Sequence, residues 1–159
     1  MSQYSSLLDE LIEQEKELQF KKFNSETAFT LGILLVEKAK EGNKNVAIDI
    51  TFNGHQLFHY AFEGTSPDNG EWIKRKSRVV NRFHTSSYRM GIKLKIDNVS
   101  IEDKYFVNPM EYAPHGGSFP IIIKEVGYVG TITVSGLPQE EDHQMVVEAI
   151  REYLENLES

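Results

Sequence analysis

The chain contains no cysteine, and this absence removes whole classes of chemistry. Thiol nucleophiles, disulfides and thiolate metal sites are all excluded. No stretch approaches the roughly 20 apolar residues of a membrane-spanning helix. The amino terminus, MSQYSSLLDELIEQEKEL, has neither the basic start nor the apolar run of a signal peptide. We therefore expect a cytoplasmic protein with no membrane partner, whose site uses oxygen and imidazole groups.

The sequence also lacks an excess of basic residues. Its 159 residues carry a formal net charge of −7, which argues against nucleic acid as a partner. Positive charge is concentrated in one stretch, WIKRKSRVVNRF, which holds Lys74, Arg75, Lys76, Arg78 and Arg82. A chain of this length buries enough surface for a real core, and no repeat or long linker divides it. We predict a single domain over residues 1–159.

The hydrophobic pattern predicts an α+β fold, with an antiparallel sheet of four to five strands flanked by helices. Residues 1–17 form an amphipathic helix, and LQFKKF is a candidate short strand. Further helices are expected from Asn24 or Ser25 to about Lys40, from about Glu71 to Lys95, within SIEDKYF, and from Pro138 onward. Two hairpins complete the pattern, one turning at Asn53-Gly54 and one joining Phe119–Lys124 to Tyr128–Val134.

The stretch APHGGSFPIII, residues 113–123, is a candidate active-site loop. A His-Gly-Gly loop builds an oxyanion hole in some α/β hydrolases, but the partner motif Gly-x-Ser-x-Gly is absent, so a hydrolase is not favoured. Glycines also let a ligand approach the backbone and leave N–H groups free for an anion. His115 therefore belongs either to a ligand-facing turn or to an ordinary turn before a strand.

The other histidines give weaker signals. His55 and His59 lie four apart in a predicted strand, about 13 Å along the chain, too far to share a metal. Glu140, Asp142 and His143 are adjacent at a helix start, where capping explains them better than a metal site. The stretch RFHTSSYRMG could line a pocket for a carboxylate or phosphate, or it could be a solvated face or a subunit contact.

Several motifs together resemble uncharacterised protein family 0303, within the GlcG and HbpS-like superfamily. They are KRKSRVVNRFHTSSYRMG, HGGSFPI, VGYVGTITVSGLPQEEDHQMVVEAI and the VAIDI…NGHQLFHYAFEGTSPDN hairpin, of which VSGLPQEEDH is the most specific. The resemblance covers nearly the whole chain after the first helix. It implies a GlcG/HbpS-like domain, a symmetric homo-oligomer and a link to haem or iron binding and haem degradation.

The resemblance also suggests ligand-binding positions, and it assigns no catalytic residue. They lie on the predicted long helix, in the glycine-rich loop and at the last helix: Arg78, Arg82, Ser86, Ser87, His115, Gly117, Ser118, Asp142 and His143. A neutral imidazole from His115 or His143 could ligate haem iron. The cationic helix of a neighbouring subunit could complete the site.

Three functions follow as hypotheses. The first is a homo-oligomer that binds haem or another anionic small molecule in a pocket at a subunit interface. The second is an enzyme, either haem-degrading or using histidine and aspartate for acid–base catalysis. The third is a scaffold or adaptor that docks a partner or another subunit on Leu7, Leu8, Leu11 and Ile12 of the first helix.

Overall fold

The computed structural model describes residues 2–158, which contain six helices and four strands. Met1, the first residue of the helix predicted over 1–17, and Ser159 lie outside the described residues. The elements in chain order are α1 (Ser2–Glu17), α2 (Ser25–Glu41), β1 (Ala47–Phe52), β2 (His55–Ala61), α3 (Pro67–Phe83), α4 (Ser87–Asp97), α5 (Ile101–Tyr105), β3 (Ser118–Ile123), β4 (Gly127–Ser135) and α6 (Gln139–Glu158).

The four strands form one sheet in the order β2-β1-β4-β3, and every pairing is antiparallel. Both predicted hairpins are present, and the fold is α+β, as the pattern predicts. At the first hairpin, Asn53 and Gly54 adopt φ values of 47° and 79°, the left-handed conformation that a tight primed turn needs.

The two faces of the sheet carry different helices. Helices α2 and α6 cover one face and form the main apolar core with alternate strand residues such as Ile48, Ile132 and Phe119. On the other face, α3 packs against β3 and β4. Several strand side chains there are small and polar, and Thr131, Thr133 and Ser135 are buried. The polar face therefore lies under the basic helix α3.

The segment LQFKKF does not form a full strand. Phe20 makes a single parallel bridge with Ile123, in which its N–H donates to the Ile122 carbonyl at 2.8 Å and its carbonyl accepts from the Lys124 N–H at 2.8 Å. This short contact covers the outer edge of β3, and it thereby satisfies backbone groups that would otherwise face water.

The continuous helix predicted from Glu71 to Lys95 is wrong. Helix α3 ends at Phe83, His84 takes a left-handed conformation with φ 60°, and the Ser86 hydroxyl accepts the Arg89 N–H at 3.1 Å to begin α4. Serine competes with the helix for backbone N–H groups, so it favours a helix start over a helix interior. The break redirects the chain away from the axis of α3.

The redirected helix α4 packs on α1. Leu11 is fully buried in a small cluster with Tyr88 and Ile92, and Leu7 and Leu8 pack at its margin. Most of the apolar stripe that the scaffold hypothesis reserves for a partner is therefore occupied by the chain's own α4. None of the helices in residues 2–158 has the length and apolar character needed to cross a membrane.

Gly91 sets the distance between α4 and the loop that carries His115. A Cβ at position 91 would lie 2.2 Å from the Pro114 carbonyl oxygen, whereas a Cβ at Gly70, in α3, would meet nothing within 4 Å. We expect Gly91→Ala to lower the free energy of unfolding by about 1–3 kcal/mol through steric strain. Gly70→Ala should raise it by up to about 1 kcal/mol through helix propensity.

Urea denaturation of the two variants beside the wild type measures both effects. A Gly91→Ala protein as stable as Gly70→Ala would contradict the close approach of α4 to this loop.

Candidate functional site

A buried ion pair joins α3 to α6. The Lys76 ammonium lies 3.0 Å from Asp142 Oδ2, and the two side chains are 5% and 1% exposed. Asp142 also accepts backbone N–H groups, from Gly136 to Oδ2 at 3.3 Å and from Leu137 to Oδ1 at 3.0 Å. The carboxylate therefore fixes both the lysine and the turn between β4 and α6.

Burial acts on both members of this pair. It lowers the pKa of Lys76 and raises the pKa of Asp142, because each charge has lost its water, and the attraction between the two charges opposes the shift in each case. Neither partner is stable there alone, since removing one leaves an uncompensated buried charge.

The ion pair lies at the wall of a cleft of about 290 Å³, which we call the polar cavity. Its lining residues come from α3, the 113–118 loop, the end of β4 and the start of α6: Asn69, Trp72, Lys76, His115, Ser135, Gly136, Leu137, Gln139 and Asp142. The Arg75 guanidinium stacks over the Trp72 ring at 4.3 Å, which adds a second cation beside this cleft.

A second, larger cleft of about 520 Å³ adjoins the first, and we call it the apolar cavity. It is lined by α4, by the connection into α5, by the same loop and by the first residue of α6: Gly91, Ile92, Leu94, Lys95, Asn98, Val99, Ser100, Ile101, Pro114, His115 and Gln139. His115 and Gln139 line both cavities, so the two clefts meet at these side chains. We call the combined space the groove.

His115 is the exposed imidazole at this junction, with its ring centroid 6.0 Å from that of Trp72. Its pKa is lowered, first by partial loss of hydration and then by the positive charges of Lys76, Arg75 and Lys95. The imidazole therefore stays neutral to lower pH than a free histidine. A neutral imidazole is the form that binds a metal.

The two glycines of the HGGSF loop allow the loop to pack closely against the neighbouring backbone. A Cβ on Gly116 would lie 2.3 Å from the Gln139 carbonyl oxygen, and Gly117 has φ 141°. The Gly116 N–H donates to Gln139 Oε1 at 2.9 Å, and the Ser118 N–H donates to Ser87 Oγ at 3.1 Å. Two N–H groups of the loop are thus already bonded within the protein, which disfavours an oxyanion hole here.

The three serines singled out from the sequence, Ser86, Ser87 and Ser118, are fully buried. The Ser86 N–H donates to Glu15 Oε2 at 3.0 Å, beside the ion pair of Glu15 with Arg89. Ser87 Oγ bonds the Ser118 backbone, and Ser118 Oγ lies 2.9 Å from Thr133 Oγ1. The structure gives these hydroxyls protein partners and places them in neither cavity.

The two arginines singled out from the sequence lie elsewhere on α3. Arg78 is exposed and donates to the Glu111 carbonyl at 3.3 Å. Arg82 is exposed, with its guanidinium 5.7 Å from the Phe83 ring centroid and 5.9 Å from that of Tyr112. Neither lines the groove of its own chain. Of the sequence-predicted positions, the structure brings His115, Gly117 and Asp142 together around Lys76.

His143 is sealed inside the protein, at 2% exposure. Its Nε2 pairs with Gln14 Oε1 at 2.8 Å, its ring lies 5.0 Å from Tyr88, and its Nδ1 has no hydrogen-bond partner among the described residues. Glu140, Asp142 and His143 form no metal site, and no group of three metal-ligating side chains occurs anywhere in residues 2–158. His143 therefore anchors α1 to α6.

Sequence reasoning missed Lys76, Trp72, Lys95 and Gln139 as groove residues. For Lys76 a signal existed, because it lies three residues after Ile73 and three before Val79, on the buried stripe of α3. A lysine at such a position indicates a buried charge with a partner. Lys95 and Gln139 carry no such signal, since their place in the groove depends on tertiary packing.

The family follows from comparison with known proteins. Residues 23–151 match the model of a family described as haem degrading protein HbpS-like. A UPF0303 protein of Streptomyces coelicolor is 49% identical over 145 residues, which are 91% of this chain and 92% of that protein. The chain belongs to the HbpS-like family. The resemblance to family 0303 and its superfamily is thereby confirmed.

Solved structures show the same fold as this HbpS-like protein. The crystal structure of the Ybr137w protein matches with a TM-score of 0.88 and 38% identity, over 94% of this chain and 88% of that one. A crystal structure of a PduOC:haem complex matches with a TM-score of 0.66 and 15% identity, over 83% and 94%, which shows the fold alone. That a single domain spans all of residues 1–159 stays a prediction.

His143 should make this HbpS-like protein sensitive to acid. Burial lowers the pKa of its imidazole to about 4, from 6.5 in an exposed histidine. Between these pH values the unfolded chain binds the proton more readily than the folded one, so acidification favours unfolding. The stability that depends on neutral His143 is complete above about pH 6.5 and is lost as the pH falls toward about 4.

We expect the wild type to lose about 2 kcal/mol more than His143→Gln between about pH 7.5 and pH 5, measured by urea denaturation. Glutamine can keep a hydrogen bond to Gln14 but cannot titrate. Equal pH dependence of the two proteins would show that His143 does not stay neutral in the fold.

Proposed function

We propose that this HbpS-like protein binds haem, or a related flat anionic molecule, in the groove, with His115 as the iron ligand. The observation that carries the proposal is the position of His115, whose side chain lines both cavities and is exposed at their junction. A ligand that spans the groove must pass this imidazole.

The residues of the groove fit haem chemically. Ile92, Leu94, Val99 and Ile101 offer an apolar wall to a macrocycle, and ligand pockets are lined predominantly by such side chains. His115 supplies a neutral nitrogen, the usual protein ligand of haem iron. Lys76 and Lys95, one in each cavity, can pair with the carboxylates of a ligand. Haem would supply the iron and the carboxylates.

The comparisons support the proposal without testing it. The family description refers to haem degradation, and one solved structure with this fold, that of PduOC, is a haem complex. Of the two histidines that the sequence offered as iron ligands, the geometry favours His115, because His143 is buried and its Nε2 is bonded to Gln14. We assign no reaction to the groove.

Self-association forms part of the same proposal. The groove is open to solvent, and Arg78 and Arg82 are exposed on α3 without lining it. In a homo-oligomer, the α3 helix of a neighbouring copy could supply these cations to the groove and make it a subunit-interface pocket. The cytoplasmic location expected from the sequence likewise stays a prediction.

Haemin titration tests the role of His115. Coordination by an imidazole shifts the Soret band, so we expect a saturable shift in the wild type and an affinity at least about tenfold weaker in His115→Ala, with an altered band position. His55→Ala is the matched control, since His55 is an exposed histidine on β2 that lines neither cavity.

The control variant should bind as the wild type does. A wild type without a saturable shift, or a His115→Ala variant with an unchanged spectrum and affinity, would contradict the proposal.

A further inference from the structure

The Lys76 ammonium has more hydrogen-bonding capacity than its neighbours use. It carries three N–H donors. Among the described residues its acceptors are Asp142 Oδ2 at 3.0 Å and, more weakly, the Val134 carbonyl at 3.4 Å. Because the side chain is 5% exposed and lines the polar cavity, an acceptor for the third donor must come from the cavity itself.

The charge of Lys76 is only partly neutralised by Asp142. The aspartate shares its two oxygens with the Gly136 and Leu137 N–H groups, which spread its negative charge toward the start of α6. The Arg75 guanidinium, which stacks over Trp72 beside the same cleft, adds a second positive charge, whereas Asp142 supplies the one carboxylate among the described residues that line it. The polar cavity therefore has two cations beside it and one carboxylate, in a chain of net charge −7.

The backbone leaves room for the ammonium. A Cβ on Gly117 would lie 2.7 Å from Lys76 Nζ, so a side chain at position 117 would displace the charge from the wall of the cavity. With about 290 Å³, the polar cavity suits a small polar group, whereas the apolar cavity of about 520 Å³ suits a larger apolar body.

We infer that the polar cavity is a carboxylate-binding subsite and that Lys76 selects ligands that carry a free carboxylate. This inference rests on the proposed function and deepens it, because it names the ligand group that the groove recognises besides the iron. Asp142 acts through Lys76 as a positioning residue, since it holds the ammonium at the wall of the cavity.

The test uses metal-free protoporphyrin IX and its dimethyl ester, which differ in their carboxylates and cannot form an iron–histidine bond. Trp72 is the single tryptophan of the chain and lines the polar cavity, so quenching of its fluorescence reports occupancy. We expect the wild type to bind the diacid at least about tenfold more tightly than the diester, about 1.4 kcal/mol.

The variant Lys76→Met/Asp142→Asn removes both charges together, because a single substitution would leave a buried charge unpaired. Its affinity for the diacid should fall to that for the diester, while its affinity for the diester stays the same. Lys74→Met is the control, since Lys74 is an exposed lysine of the same helix, paired with Glu71, and should keep the wild-type preference. Urea denaturation confirms that each variant is folded.

The outcomes separate this inference from the proposed function. Equal binding of diacid and diester by the wild type, a comparison that needs no variant, would overturn the carboxylate subsite while leaving porphyrin binding intact. A preference that persists in the folded double variant would overturn the role of Lys76. If neither porphyrin quenches Trp72, the carboxylate subsite is overturned, and the haemin titration decides the proposed function separately.

Discussion

The buried ion pair between Lys76 and Asp142 is the constraint around which the site is arranged. It connects the helix on the polar face of the sheet to the turn that begins α6, and through Gly136 and Leu137 it fixes the end of β4. Breaking such a pair costs about 3–5 kcal/mol, because the remaining charge has no water. The fold therefore holds the Lys76 charge at the wall of the polar cavity. A lysine without a partner could not be charged in that buried position.

Three glycines allow the loop of residues 113–118 to fit around this pair. Gly91, Gly116 and Gly117 bring backbone or the ammonium closer than a side chain would permit. The loop is thereby confined between α3, α4 and α6, with His115 directed to the junction of the two cavities. Close packing explains why the loop needs glycine at positions 116 and 117. The same packing places the neutral imidazole of His115 between the wall of the apolar cavity and the cation of Lys76.

Much of the fold was predictable because it depends on interactions between residues that are close in the sequence. Asn53-Gly54 can form its turn without help from distant residues, and Asn24 caps α2 through residues three positions away. Ser86 favours a helix start locally, but the contact that holds it at the break after Phe83 comes from Glu15, 71 positions earlier, and is not visible in the sequence. The same holds for the site. The glycine-rich loop pointed to His115, and the apolar stripe of α3 marked Lys76 as a buried charge, but its partner Asp142 lies 66 positions away and only the fold brings the two together.

Ligand binding in the groove requires that one imidazole, that of His115, meets the bound molecule. NMR of the five histidines, labelled with ¹³C at Cε1, tests it during titration with gallium(III) protoporphyrin IX, a diamagnetic substitute for haem. We expect the resonance absent from the His115→Ala spectrum to shift strongly while the other four change little. A ligand that shifts the resonance of His55, His59 or His84 instead, or that shifts none, would contradict it.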